Sequence, residues 1–251
     1  MQILNLKGLK ISTIIDYPKE LTHKLAILCP GYLDTKDYLH LKDLAQKLQN
    51  NGYTVVRFDP TGTWESEGDI LDYTVTQYLD DIKSIYLNMV EDYAYTNILI
   101  AGHSLGGMIS LLYASRNPSV SKVLAIMPSS PYSMALANNK RKKWKEDGFR
   151  LSHRDIPNED NRKEFKVPYS HLEDRDKYNV IDDVKLIKVP IVFIAGGADA
   201  LINPKEVKRI KNNANNPKEL IIIDNIGHDY RHIYKEIEKV NKIAINSIAS
   251  I

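Results

Sequence analysis

A doubly wound α/β fold, with a mostly parallel central sheet and helices on both faces, is what this 251-residue sequence predicts. Three observations carry the expectation. Six short runs rich in Val and Ile are apolar at consecutive positions, as strands covered on both faces require. Amphipathic stretches with apolar residues three and four apart lie among them. The two kinds of segment alternate along the chain.

The elements follow in order. Ile3 to Leu6 and Leu9 to Ile15 flank Gly8 as a hairpin, expected to form an antiparallel edge. KLAILC (Lys24 to Cys29) is the first buried strand. Lys36 to Gln49 reads as a helix with Leu39, Leu44 and Leu48 on one stripe, stopped by Asn50-Asn51-Gly52. YTVVRFD (Tyr53 to Asp59) is the next strand, and Val75 to Val90 a helix carrying Tyr78, Leu79, Ile82, Ile85 and Met89. NILIA (Asn97 to Ala101), KVLAIM (Lys122 to Met127), PIVFIA (Pro190 to Ala195) and ELIIID (Glu219 to Asp224) complete the strands. From Tyr230 a final helix places Ile233, Ile237, Val240, Ala244 and Ile248 on one stripe against the sheet.

The rhythm breaks once. From about residue 129 to 184 no strand–helix unit appears, and residues 140–166 hold ten Lys/Arg against six Asp/Glu. A segment this long between two core strands reads as a functional insertion over the carboxyl ends of the strands. The chain is therefore expected to be one domain, 1–251, with a lid or cap inserted at about 129–184.

Composition narrows the function. A net charge of +2 implies no bulk attraction to nucleic acid or membranes. The single cysteine, Cys29, makes no intramolecular disulfide and by itself no zinc site, and reads as a small buried apolar residue. The amino terminus lacks a signal-peptide pattern and no apolar run approaches the roughly 20 residues that span a bilayer, so a soluble cytoplasmic protein is expected. No phosphate-binding glycine fingerprint is present, and no cofactor is expected.

The chemistry centres on Gly102-His103-Ser104-Leu105-Gly106, which matches G-x-S-x-G between a buried strand and a helix-compatible run. A sharp strand-to-helix turn exposes the serine hydroxyl at a helix amino terminus, and the small Gly102, Gly106 and Gly107 let strand and helix crowd together. Serine needs a base, and the base an acid to orient it, in the chain order Ser, acid, His. His228, in the loop after ELIIID, is the candidate base, ahead of His232. Asp199, in the loop after PIVFIA, is the candidate acid, with Asp224 as runner-up. The main-chain N–H groups of Leu105 and Tyr32 are the candidate oxyanion donors, with Gly31 expected to allow the turn that aims Tyr32 inward.

With these residues in place the chain resembles the α/β-hydrolase superfamily over nearly its full length. It is most similar to small esterases of the cinnamoyl or feruloyl esterase-like, serine aminopeptidase-like and monoacylglycerol lipase-like branch. The resembling stretches are PGYLDTKD, RFDPTGTWESEGD, ILIAGHSLGG, VPIVFIAGGADALINP and NIGHD. Two departures stand out. Pro30 sits where relatives carry histidine, and Thr61-Gly62-Thr63-Trp64 replaces a glycine-rich stretch. The insertion resembles the short lid of these esterases in position, making Tyr132, Met134, Trp144, Phe149 and Tyr169 candidate pocket walls.

The resemblance implies a serine hydrolase that cleaves carboxylic esters of small to medium acyl or aromatic acids. An aminopeptidase or amidase on the same triad and a non-catalytic ligand-binding protein are the alternatives. His228 and His232 have zinc-ligand spacing but lack the H-E-x-x-H glutamate, so no metal is expected. The basic run Lys140 to Lys145 reads as a solvated helix face. The expected partner is a small-molecule ester, with neither nucleic acid nor stable membrane insertion; a homodimer is left open.

Overall fold

A computed structural model describes residues 3–131, 133, 138–215 and 217–250, and of residue 92 the main chain alone. Its centre is a seven-stranded sheet. In chain order the sheet strands are β3 (Thr13–Asp16), β4 (Lys24–Cys29), β5 (Tyr53–Phe58), β6 (Asn97–His103), β7 (Lys122–Ile126), β10 (Ile191–Gly196) and β11 (Lys218–Ile223). They lie in the order β11-β10-β7-β6-β4-β5-β3, all parallel except β3, which pairs antiparallel with β5 at the edge.

Helices cover both faces because the strands are apolar on both. Leu25, Ile27 and Cys29 of β4 face one core with α2 (Val75–Asp92), α3 (Leu105–Ala114) and α7 (Pro204–Asn213). Ala26 and Leu28 face the other, with α1 (Leu39–Asn50) and α8 (Tyr234–Ala249). Such two-sided burial removes the alternating signal of an exposed sheet, which is why the strands read as unbroken apolar runs.

Several boundaries differ from expectation. The first hairpin pairs only β1 (Ile3–Leu4) with β2 (Lys10–Ile11), apart from the main sheet; the antiparallel edge is β3. The first helix starts at Leu39, whose side chain is exposed, because Lys36 is buried on Asp59, Nζ to Oδ2 at 3.0 Å. A short 3₁₀ turn, Tyr230–His232, precedes α8, leaving Ile233 outside the helix and exposed.

The segment read as lacking a strand–helix unit contains two strands. Between β7 and β10 come α4 (Asn138–Asp147), an antiparallel hairpin of β8 (Phe149–Asp155) and β9 (Arg162–Pro168), and short helices α5 (Ser170–Arg175) and α6 (Val180–Asp183). Among the described residues no helix is long and apolar enough to cross a membrane.

Candidate active site

Ser104 sits between β6 and α3 at φ 56° and ψ −116°, a left-handed conformation that a non-glycine residue holds at roughly 1–3 kcal/mol. Neighbouring main chain enforces it. Ser104 N–H donates to Ile126 O at 2.9 Å, and its carbonyl accepts from Ser129 N at 3.0 Å. A Cβ on Gly106 would lie 2.0 Å from Cys29 O, and one on Gly102 would lie 2.4 Å from Gly106 C. Only glycine lets β4, β6 and α3 approach so closely.

Two loops at the same end of the sheet complete the arrangement. His228 Nε2 lies 2.9 Å from Ser104 Oγ, and His228 Nδ1 lies 2.7 Å from Asp199 Oδ2. Asp199 is buried, and its Oδ1 accepts the N–H groups of Leu201 and Ile202 at 2.8 and 2.7 Å. The carboxylate is thus held at both oxygens. Asn203, not Asp199, caps α7, accepting from Lys205 N. His232 is half exposed, with Nδ1 3.9 Å from Asp155 Oδ2, and Asp224 is exposed; neither joins this chain of bonds.

The loop after β4 is pinned from several sides. Tyr73 Oη accepts Leu33 N–H at 2.9 Å, Trp64 Nε1–H donates to Leu33 O at 2.9 Å, and Arg154 Nε and Nη2 donate to Tyr32 O at 3.1 and 2.9 Å. The residue with positive φ here is Leu33 rather than Gly31. Gly31 is required for a different reason: a Cβ there would meet Asp34 Oδ2 at 2.5 Å. The substituted Trp64 thus acts as a strut for the loop. Tyr32 and Leu105 both border the cavity over Ser104, and Leu105, as the first residue of α3, has an amide with no partner inside that helix.

Beneath His228 lie two further imidazoles. The His103 and His228 rings are 4.7 Å apart, and His40 stands 5.8 Å from His103. Burial holds His103 well below the usual histidine range and His40 down to about 4, so both are neutral near pH 7. Asp34, His40 and His103 bring possible ligand atoms within 4.8 Å, a cluster that sequence reasoning missed. The Arg231 guanidinium already pairs with the Asp34 carboxylate, placing a fixed positive charge where a cation would need that ligand. Burial pushes the Cys29 thiol up to about 12, which leaves it without thiolate character.

The cavity has a volume of about 360 Å³. Trp144 borders it, buried and donating through Nε1 to Val167 O at 3.0 Å. His171 stacks between Trp144 and Tyr73, at 6.1 and 5.0 Å between ring centres. Tyr169 and Phe149 do not border the cavity: Tyr169 is the residue just before α5, and Phe149 lies under the Lys166 ammonium. Tyr132 and Met134 lie outside the described residues. Arg150, Arg154, His171 and Arg175 do border it and were missed. The excess of Lys/Arg in residues 140–166 was the one signal pointing to Arg150 and Arg154.

The family model described as serine aminopeptidase, S33, matches residues 22–179. A structure of Est1E from Butyrivibrio proteoclasticus with ferulic acid bound superposes with a TM-score of 0.79 at 21% identity, covering 100% of this chain and 98% of that one. That likeness shows the α/β-hydrolase fold. The mitochondrial palmitoyl-protein thioesterase ABHD10 of Mus musculus is 23% identical over 180 residues, 70% of this chain and 59% of its own length. Lysophospholipase L2 of Escherichia coli K12 is 27% identical over 109 residues, 41% of this chain and 32% of its own length. The chain therefore spans less than two thirds of either curated relative.

Proposed function

The chain belongs to the serine aminopeptidase, S33 family of hydrolases, and from that premise we propose that it cleaves carboxylic esters or thioesters of small to medium acyl or aromatic acids through an acyl-enzyme. The observation that carries the reading is the unbroken chain of hydrogen bonds Ser104–His228–Asp199.

Each bond in that chain has a chemical task. With its Nδ1 proton directed at Asp199, His228 presents a bare Nε2 to Ser104 and accepts the hydroxyl proton as Oγ attacks the substrate carbonyl carbon. The carbonyl π electrons move to oxygen, where the N–H groups of Tyr32 and Leu105 are the donors for the resulting oxyanion. The tetrahedral centre collapses, the bond to the alcohol or thiol breaks, and His228 returns its proton to that leaving group. Water then repeats the sequence, transferring one proton to His228, and the carboxylic acid departs from a regenerated Ser104. Asp199 keeps its charge throughout and stabilises the transient imidazolium.

Relatives whose names denote a palmitoyl-protein thioesterase and a lysophospholipase support acyl transfer from an ester or thioester. The family name raises amide cleavage as the second reading. Arginines at the cavity weigh against it, since an aminopeptidase must seat its substrate's ammonium group. The connected residues also weigh against a non-catalytic role.

A fluorophosphonate probe is expected to label the wild type, and 4-nitrophenyl esters to be hydrolysed. Ser104→Ala is expected to lose labelling and at least about 10³-fold in kcat/KM. Labelling that persists in Ser104→Ala overturns the assignment, and faster turnover of aminoacyl 4-nitroanilides than of esters overturns the substrate class.

A further inference from the structure

We propose that the cavity recognises an anionic group on the ester substrate, a carboxylate or a phosphate, through Arg175 with Arg150 beside it. The proposal rests on the reading of Ser104 as nucleophile and adds the class of ester it acts on.

Arg175 ends α5 and is only 8% exposed, yet it borders the cavity that holds Ser104. Its Nη2 donates to Ser129 Oγ at 3.1 Å and Ser130 O at 3.4 Å. Ser129 N–H in turn donates to Ser104 O, so the guanidinium is one residue removed from the nucleophile's own peptide. Among the described residues no carboxylate lies within ion-pair distance of Arg175. Its chain neighbours are already engaged: Asp176 pairs with Arg141, and Asp174 accepts from Thr76 and Lys177.

Among the described residues, the other buried or nearly buried cations have carboxylate partners. Lys36 holds Asp59, Arg57 holds Asp16, and Arg231 holds Asp34. A cation taken from water without a counter-charge is held at a penalty of several kcal/mol. Burial, with the Arg141 charge adding to it, pushes the Arg175 guanidinium down to about 10. A guanidinium carries five N–H donors in a planar fork matched to carboxylate and phosphate. Nε and Nη1 donate to no described residue, which leaves three of the five N–H donors for a ligand.

The surrounding charge reinforces these donors. Arg150, Arg154 and Arg175 all border the cavity and all act electrostatically on the Tyr32 phenol. Arg154 is committed to Tyr32 O. Arg150 lies over the Trp144 ring at 5.6 Å and, among the described residues, has no carboxylate within ion-pair distance. The acids that border the cavity have cationic partners, Asp34 and Asp229 in Arg231 and Asp155 in Arg162 at 2.7 Å, whereas Arg150 and Arg175 have no carboxylate partner among the described residues, so the field on their wall is positive.

The test compares two esters of equal chain length, 4-nitrophenyl hydrogen adipate and 4-nitrophenyl hexanoate. A charge-assisted contact predicts that wild type prefers the anionic ester by about 10- to 100-fold in kcat/KM. Arg175→Gln is expected to bring that ratio near one, and Arg175→Lys to restore part of it. Adipate and butyl phosphate, as competitive inhibitors of hexanoate hydrolysis, distinguish a carboxylate site from a phosphate site. Wild-type preference for the neutral ester, or a ratio unmoved in Arg175→Gln, overturns the proposal and leaves Arg175 as a clasp on Ser129. Should Arg175→Gln not fold, Arg150→Gln and the wild-type ratio decide. Loss of fluorophosphonate labelling and of all ester turnover in wild type marks failure of the hydrolase reading itself; labelling with turnover but no anion preference marks failure of this proposal alone.

Discussion

The turn around Ser104 and the wall built from residues 138–175 border the same cavity but are constructed in opposite ways. The turn is made of main chain. Gly102 and Gly106 have no room for a Cβ, Ser104 is forced to positive φ, and the loop with Tyr32 is pinned by Tyr73, Trp64 and Arg154. The wall is made of side chains: His171 and Trp144, stacked with Tyr73 at its back, and two arginines without carboxylate partners, carried on α4, the hairpin and α5. On the proposed reading, the atoms that would meet a developing charge come from rigid backbone, whereas selectivity would reside in groups that substitution can change without opening the sheet.

The largest effect that tests this contrast is Gly106→Ala. Its Cβ meets two main-chain oxygens, Cys29 O at 2.0 Å and Pro30 O at 2.6 Å, and neither can retreat without opening β4. Folded yield is expected to collapse, or fluorophosphonate labelling to fall by more than ~100-fold. A well-folded, fully labelled Gly106→Ala protein breaks the claim that backbone crowding builds the turn.

An intermediate effect compares one buried imidazole from each region. His40 lies beneath the turn and His171 lies in the wall, and burial lowers each to about 4 from 6.5. Because the folded protein binds these protons less readily than the unfolded chain, the stabilisation is fully present above pH 6.5 and is lost as pH falls toward 4. Each site contributes about 3 kcal/mol to that loss. Urea unfolding at pH 7 and pH 4.5 is expected to show a smaller acid loss in His40→Phe and His171→Phe than in wild type. A slope unchanged in both removes the imidazoles as its source.

The smallest effect is Gly148→Ala, at the junction of α4 and β8. Gly148 has φ +72°, but nothing lies within 4 Å of the position a Cβ would take. Backbone strain alone predicts a loss of about 1 kcal/mol by urea unfolding. A loss comparable to that of Gly106→Ala erases the distinction between the two regions.

The same contrast explains what was legible in the sequence. Ser104, Asp199 and His228 each follow an apolar strand, buried in β6 and β10 and half-exposed at the edge in β11, so their placement at one end of a parallel sheet follows from topology. Trp144 was visible as a large apolar residue in a polar stretch. The hairpin β8–β9 was not visible, because its burial does not follow hydrophobicity: Leu151 is 48% exposed while Ser152 is buried. Phe149 and Tyr169 were expected at the cavity, and packing turned them away from it.

By itself the sequence determined the alternation of strands and helices, the strained turn at Ser104, and the chain order of serine, acid and histidine. Each is a local demand of backbone geometry, written in residue type and spacing. Only the tertiary structure decided that Arg175, in the polar run SHLEDR, is buried beside Ser104. It likewise seated His171 against Tyr73, 98 residues away, with the His171 Nδ1 to Tyr73 O distance at 2.7 Å. The physical reason is that a polar side chain's environment is set by what docks over it. That information lies in contacts between distant segments, to which local pattern is blind.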